Sequence, residues 1–353
     1  MDTLALIDPR FQYQTAILNG VKYNYIHANP SSEKVAGTVF LVHGWPDLSL
    51  GWSNHIPFLL SKGMRVVALD MMGYGGTESP ESPSFYTFKR ASDDIAALAG
   101  HLGLSRIILG GHDFGGGVVY RTAMWHPELV AALYVLNTPF VPPVASFTDL
   151  AVSWPGFHYQ LQFRSQHDVQ DYVGPIGSQN ATRVRQILNT IYGVVGPSGE
   201  LAIDVSGKGL DFNLLEGVTE DTPLLSKTEI DYYVDSFTRK PFNNTLNWYR
   251  TQELNWEDEL ALVPGNGTYT RKFSQPALFI AATLDPTLPP SLSTGMETYF
   301  DNLSRGEVNG SHWMRWEKPA EVETYVGNWL ASSVLGMSSL ASNLATGFGL
   351  TTL

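Results

Sequence analysis

Residues 107–118, Ile-Ile-Leu-Gly-Gly-His-Asp-Phe-Gly-Gly-Gly-Val, constrain the fold more than any other stretch of the chain. A short apolar run ends at an aspartate flanked by glycines, and a helical pattern (Val118, Val119, Tyr120, Thr122, Ala123) begins at once. Asp113 is therefore expected on a sharp strand-to-helix turn, where Gly111 and Gly115 tolerate strained backbone and let strand and helix approach closely.

Taken alone, Gly-x-Asp-x-Gly has two readings. An acidic residue can simply cap a helix, stabilised by the first-turn N–H groups. The same pattern is also a nucleophile elbow with a carboxylate where a serine usually stands, and that exchange changes the chemistry. A serine alkylated at carbon becomes an ether that water does not easily cleave. An alkylated aspartate becomes an ester, open to hydrolysis at its own carbonyl. The second reading directs the site towards substrates attacked at sp3 carbon.

Around this turn the chain alternates strands and helices. Residues 11–18 and 21–27 alternate about Asn19-Gly20, a type I′ hairpin signal, and should form an antiparallel sheet edge. Strand-like runs at 38–42, 65–70, 132–136 and 277–282 end at His43-Gly44-Trp45-Pro46-Asp47, Met71-Met72-Gly73-Tyr74-Gly75-Gly76, Asn137-Thr138-Pro139-Phe140 and Thr283-Leu284-Asp285-Pro286. Helices are expected at 53–62, interrupted near its start by Pro57, at 88–103, after Gly117 and at 319–330, and a short strand near 306–308 runs into Asn309-Gly310-Ser311-His312-Trp313. This alternation predicts an α/β fold with a mostly parallel central sheet flanked by helices. The motif loops fall at the carboxyl ends of the strands, where such sheets bind ligands.

Four segments follow. Residues 1–140 and 264–330 form the two parts of the α/β core. Residues 141–263 change to aromatic-rich helical sequence (Trp154, Phe157, Tyr159, Phe163, Tyr232, Tyr233, Phe237, Trp248, Tyr249, Trp256) and read as a helical cap inserted over the functional edge of the sheet, with 197–217 loop-like. Residues 331–353 are an uncharged tail, suited to packing on the body or on a second copy, so a homodimer is one expectation.

Composition narrows the partners. A net charge of −12 argues against nucleic acid, whose phosphates need an excess of Lys and Arg. With no cysteine there is neither a disulfide framework nor a thiolate metal site. The N-terminus lacks a basic, then apolar, leader pattern, and there is no membrane span, since no apolar run of about 18 residues occurs. A cytoplasmic protein is expected.

Asp113 on the elbow, Asp285 after a late strand and His312 after the last strand keep the order nucleophile, acid, histidine of the α/β-hydrolase triad. Each alone has a plainer reading, as cap, turn residue or packed histidine; all three at strand ends of one sheet edge are far less readily accidental. Here the chain resembles the α/β-hydrolase-fold epoxide hydrolases, specifically the hydrolase domain of the soluble type. The matching stretches are His43-Gly44-Trp45-Pro46-Asp47, Asp70-Met71-Met72-Gly73-Tyr74-Gly75, Gly111-His112-Asp113-Phe114-Gly115-Gly116, Asn137-Thr138-Pro139-Phe140, Leu246-Asn247-Trp248-Tyr249-Arg250 and Ser311-His312-Trp313, spread between residues 11 and 330.

The resemblance implies roles. Asp113 attacks an epoxide carbon, and His312, oriented by Asp285, activates water against the resulting ester. The N–H groups of Trp45 and Phe114 form the oxyanion hole, one such donor being worth about 3 to 4 kcal/mol. Pro46, after a cis bond, aims the Trp45 amide, with His43 and Asp47 in support; Asp47 stands where the family commonly has glutamate. Tyr159 and Tyr249 act as the acid for the epoxide oxygen, although Phe163-Arg164-Ser165-Gln166 departs from the run that often follows the first tyrosine. Trp154 and Trp313 are expected to line the substrate pocket. The implied partners are a small hydrophobic epoxide and water, with no metal and no organic cofactor. Alternatives from the same sequence are a dehalogenase, which would bind a halide with N–H donors, a biosynthetic epoxide-opening cyclase, and a non-catalytic hydrophobic-ligand-binding protein.

Overall fold

A computed structural model describes residues 8–336 of the chain, apart from 176 and 266. Of the tail expected at 331–353, residues 337–353 lie outside the described residues. Strands β1 (Gln12–Leu18) and β2 (Val21–Ala28) form the hairpin, with Asn19 at φ 47° and Gly20 at φ 84°, the two positive values a type I′ turn requires. Strands β3 (Gly37–Val42), β4 (Met64–Leu69), β5 (Ile107–His112) and β6 (Val130–Leu136) follow. A two-residue hairpin, β7 (Ile203–Asp204) and β8 (Gly209–Leu210), stands apart before the main sheet resumes with β9 (Ala277–Ala282) and β10 (Leu303–Val308).

The main sheet has eight strands in the order β1-β2-β4-β3-β5-β6-β9-β10. The β1–β2 and β2–β4 pairs are antiparallel and all the others parallel. The mostly parallel sheet is the one expected from the alternation, and its strand order suits the α/β-hydrolase fold that the resemblance implies. The central strands β3, β5, β6 and β9 are buried almost throughout, which is why they read as unbroken apolar runs rather than alternating ones. The edge strand β10 is longer than the sequence suggests. Its Ser304, Arg305 and Glu307 leave it little apolar signal.

Helices cover the sheet through apolar stripes. The helix Phe88–His101, capped by Thr87, buries Ala91, Ile95, Leu98 and Ala99, and Pro319–Trp329 buries Val322, Val326 and Trp329. Pro57 lies in the first turn of His55–Ser61, where its missing N–H leaves no helical bond unmade. After Trp329 the chain continues as a π-helical segment, Leu330–Leu335.

Between β6 and β9 the chain is mostly helical, including Ala181–Ile191, Lys227–Thr238 and Gln252–Glu259. Residues 197–217 hold β7, β8 and the short helix Phe212–Leu215, started by Asp211, whose side chain accepts from two backbone N–H groups. Hydrogen bonds fasten this segment to the loops beyond the strands: Trp45 Nε1 donates to Thr245 Oγ1, Tyr192 Oη to the Pro46 carbonyl, and Trp248 Nε1 to the Met72 carbonyl. Among the described residues, no helix is long and apolar enough to cross a membrane.

The elbow depends on close backbone approach. A Cβ on Gly115 would sit 2.0 Å from the Val42 carbonyl oxygen of β3. Gly115→Ala therefore forces the first turn of the elbow helix off the sheet. It is expected to destabilise the protein by about 1 to 3 kcal/mol, measured as a lower midpoint in urea, whereas an unchanged midpoint would mean the contact can relax freely.

Candidate active site

Asp113 follows β5 and precedes the helix Phe114–Trp125, at φ 55° and ψ −127°. Such a conformation costs a non-glycine residue about 1 to 3 kcal/mol and persists only where its surroundings hold it. Here Gly116 N–H and Thr138 Oγ1 both donate to the Asp113 carbonyl, at 2.9 and 2.7 Å. The carboxylate is lifted towards the loop after β3, whose Trp45 N–H donates to Oδ1 at 2.9 Å; the Phe114 N–H also reaches the carboxylate. Gly44 permits this approach, since a Cβ there would lie 2.1 Å from Oδ1. Burial pushes the Asp113 carboxyl above the usual carboxylate range, against the opposing pull of His312 and the two N–H donors.

Asp285 and His312 come from the loops after β9 and β10. His312 Nδ1 donates to Asp285 Oδ2 at 2.8 Å, and its Nε2 lies 3.6 Å from Asp113 Oδ2, too far for a direct hydrogen bond but within ion-pair range. Asp285 is fully enclosed by donors. Asn137 Nδ2 shares Oδ2, while the Thr287 and Leu288 N–H groups donate to Oδ1 at 2.9 and 3.0 Å. Burial opposes ionisation of Asp285, yet the His312 charge and these hydrogen bonds overcome it and hold the carboxyl at about 2. For His312, burial likewise disfavours charge, but Asp285 and then Asp113 raise its pKa to about 9. The imidazole thus stands as a cation between two anions.

Tyr159 and Tyr249 come together beside this group. Their ring centroids are 5.9 Å apart, and Tyr249 packs edge-on to Phe114, Phe163 and Trp45 at 4.9, 5.2 and 5.6 Å. Burial, reinforced by the Asp113 charge, raises both phenols above their ordinary range, so both remain O–H donors. Arg250 joins the two tyrosine-bearing segments. Its guanidinium donates to the Arg164 and Ser165 carbonyls on one side and to the Asn243 carbonyl and Asn247 Oδ1 on the other.

The loop after β3 is fixed by its own side chains. His43, buried, shares a hydrogen bond with the Gly44 carbonyl through Nδ1 and accepts from the Met71 N–H through Nε2. The Trp45–Pro46 bond is cis. Asp47 is fully buried, pairs with Arg315 and accepts from Tyr233 Oη at 2.6 Å. Its carboxylate is therefore engaged beneath the loop and does not face the cavity.

A cavity of about 440 Å³ opens from Asp113, lined by Phe114, Tyr159, Trp248 and the largely apolar run between residues 139 and 157. Trp154 lies on its wall and remains 38% exposed, at the rim. Trp313 does not line it. Its indole stacks on Trp316 at 4.7 Å, donates to the Ile191 carbonyl and presents its edge to His312, so it packs behind the imidazole. The resemblance implied a pocket position for it, but the stack on Trp316 and the hydrogen bond to the Ile191 carbonyl hold the indole elsewhere. Asn137, Arg250 and Arg315 are further supports of the site. The first two lie in quoted motifs, whereas Arg315 has no local signal because its partner is 268 residues away.

Asp285 sets the charge of His312 through one short contact. Asp285→Asn should lower the His312 pKa well below about 9, followed by an NMR titration of the ring. An unchanged value would assign the shift to Asp113 alone.

A profile described as the alpha/beta hydrolase fold matches residues 37–319. The epoxide hydrolase srdG of Neurospora crassa is 38% identical over 343 residues, covering 93% of this chain and 98% of that protein. The bifunctional epoxide hydrolase 2 of Rattus norvegicus is 31% identical over 329 residues, covering 90% of this chain but only 56% of its own length. Among solved structures, epoxide hydrolase A from Mycobacterium thermoresistibile superposes with a TM-score of 0.74 at 26% identity, covering 91% of this chain and 98% of that one.

Proposed function

The chain belongs to the α/β-hydrolase fold family and, within it, to the epoxide hydrolases, and from that membership we propose that it opens a hydrophobic epoxide through a covalent ester on Asp113. As an epoxide hydrolase it adds water to an epoxide to give a vicinal diol. The observation that carries the ester route is the Asp113 carboxylate itself, with Oδ1 tied to the Trp45 N–H and Oδ2 turned to His312. We take residues 141–263 as the cap that supplies the acid.

In the first step Oδ2 attacks an epoxide carbon as the ring C–O bond breaks. Tyr159 and Tyr249 hydrogen-bond the departing oxygen, which takes a phenol proton, and the phenolate regains a proton from His312. The second step starts with His312 neutral. It removes a proton from water as the water oxygen bonds to the Asp113 carbonyl carbon, and the negative charge builds on Oδ1, facing the Trp45 and Phe114 N–H groups. Collapse releases the diol, and the acid proton left on Asp113 passes to the leaving alkoxide. The carboxylate and the imidazolium are restored.

Electrostatics favours this order. Esterification removes the Asp113 charge, one of the two anions that hold His312 near 9. Its pKa then falls, while the Asp285 contact still orients it as a base. A halide-releasing reaction fits less well, because the indole N–H groups of Trp45, beside Asp113, and of Trp248 on the cavity wall already donate to protein oxygens, and Trp154 stands at the exposed rim.

Mass spectrometry of His312→Gln incubated with styrene oxide tests the ester. The peptide containing Asp113 should carry the mass of one epoxide, and an unmodified peptide with continuing diol release would refute the route. In the natural protein, ester hydrolysis followed in a single turnover should speed up with pH through an apparent pKa below about 9; a flat profile would remove His312 as the base. The double variant Tyr159→Phe/Tyr249→Phe should alkylate about 100-fold more slowly or worse, and an unchanged rate would exclude both phenols as the acid.

A further inference from the structure

Away from Asp113 the cavity contains a second polar region that the reaction steps do not use. On the helix Phe114–Trp125, the residues facing the cavity are Phe114, Gly117 and Arg121, spaced i, i+3 and i+7. Opposite them, on Gln252–Glu259, Gln252, Asn255 and Glu259 face it with the same spacing, together with Trp256. The two stripes converge at an ion pair. Arg121 Nε donates to Glu259 Oε1 and Arg121 Nη2 to Oε2, both at 2.8 Å, and the residues are only 8% and 7% exposed.

A bidentate pair set into a mostly apolar wall gains little by itself, because desolvating the two charges offsets their attraction. It also leaves hydrogen-bonding capacity unused. Among the described residues no acceptor meets Arg121 Nη1, and the Glu259 oxygens accept from Arg121 alone. The pole therefore offers a donor beside an acceptor, with its net charge cancelled. An anionic group would meet Glu259 with the same sign, and an apolar group would leave Nη1 without a partner. A neutral oxygen function satisfies both. Asp113 stands just before the helix and Arg121 seven residues beyond its first residue, about two helical turns or roughly 10 Å along the axis.

We propose that the Arg121–Glu259 pair is a specificity-determining subsite that holds a hydroxyl or carbonyl oxygen of the substrate about two helical turns along the cavity from Asp113. The proposal rests on the epoxide-hydrolase reading of Asp113 and adds the far end of the substrate to it. The substrate is then an amphipathic epoxide, apolar along its middle and carrying one neutral polar oxygen at its distal end.

The test uses the full chain and terminal epoxides on straight alkyl chains of increasing length, each made in a methyl-ended and a hydroxyl-ended form. The hydroxyl-ended form should be preferred in kcat/KM by about 10- to 100-fold, the scale of a hydrogen bond to a charged group. The preference should sit in KM and peak at one chain length, when the hydroxyl reaches the pair on the order of 10 Å from the epoxide. Diol from both series with no preference at any length would overturn the subsite alone, whereas no diol from either would overturn the epoxide reading with it. Arg121→Leu/Glu259→Leu removes both charges together, so no lone buried charge remains. With its fold checked by circular dichroism, it should lose the preference, and a preference retained by the folded variant would contradict the proposal. Should that variant not fold, the length series on the natural protein still decides.

Discussion

Two carboxylates facing one imidazole govern the chemistry of this site. Asp285 is enclosed by Asn137, two backbone N–H groups and His312, so it stays ionised even though it is buried. Asp113 has fewer donors and is held above the usual carboxylate range. The difference fits the separate tasks proposed for them. A carboxylate saturated with hydrogen bonds is a poor nucleophile and a good orienter, while one bound mainly through a single oxygen keeps the other free to attack. The backbone strain at Asp113 serves the same end, because it lifts the carboxylate to the N–H of Trp45 on the neighbouring loop.

The segment between β6 and β9 completes the site from above. It contributes Tyr159 and Tyr249, and it is fastened to the loops around the elbow by Tyr192, Thr245 and Trp248. One guanidinium, Arg250, spans the two tyrosine-bearing segments, so the spacing of the phenols depends on a residue that touches neither the nucleophile nor the imidazole. The same segment supplies Glu259 to the far wall of the cavity. The two tyrosines and Glu259 thus come from one body of helices, while the partner Arg121 stands on the elbow helix.

Much of this was legible in the sequence, for identifiable reasons. The buried strands β3, β5, β6 and β9 are short apolar runs ending in glycine- or proline-marked loops, and Asn19-Gly20 specifies its turn almost alone. Asp113, Asp285 and His312 were readable together because each follows a strand of the same sheet. The departures have a common cause. The edge strand β10 carries polar residues on its exposed side, and the direction of Trp313 depends on partners 122 residues and more away in the chain or on the next helical turn. Arg315 with Asp47, and Arg121 with Glu259, are pairs made across more than 100 residues. Local pattern carries no information about such partners.

The most direct test of the ester route is a single turnover with enzyme in excess in 18O-labelled water, with mass analysis of both the diol and the peptide containing Asp113. Attack by Asp113 predicts label in the Asp113 carboxylate and an unlabelled diol from the first turnover. Label in the diol with none in the peptide would mean that water attacks the epoxide directly, and Asp113 would not be the nucleophile.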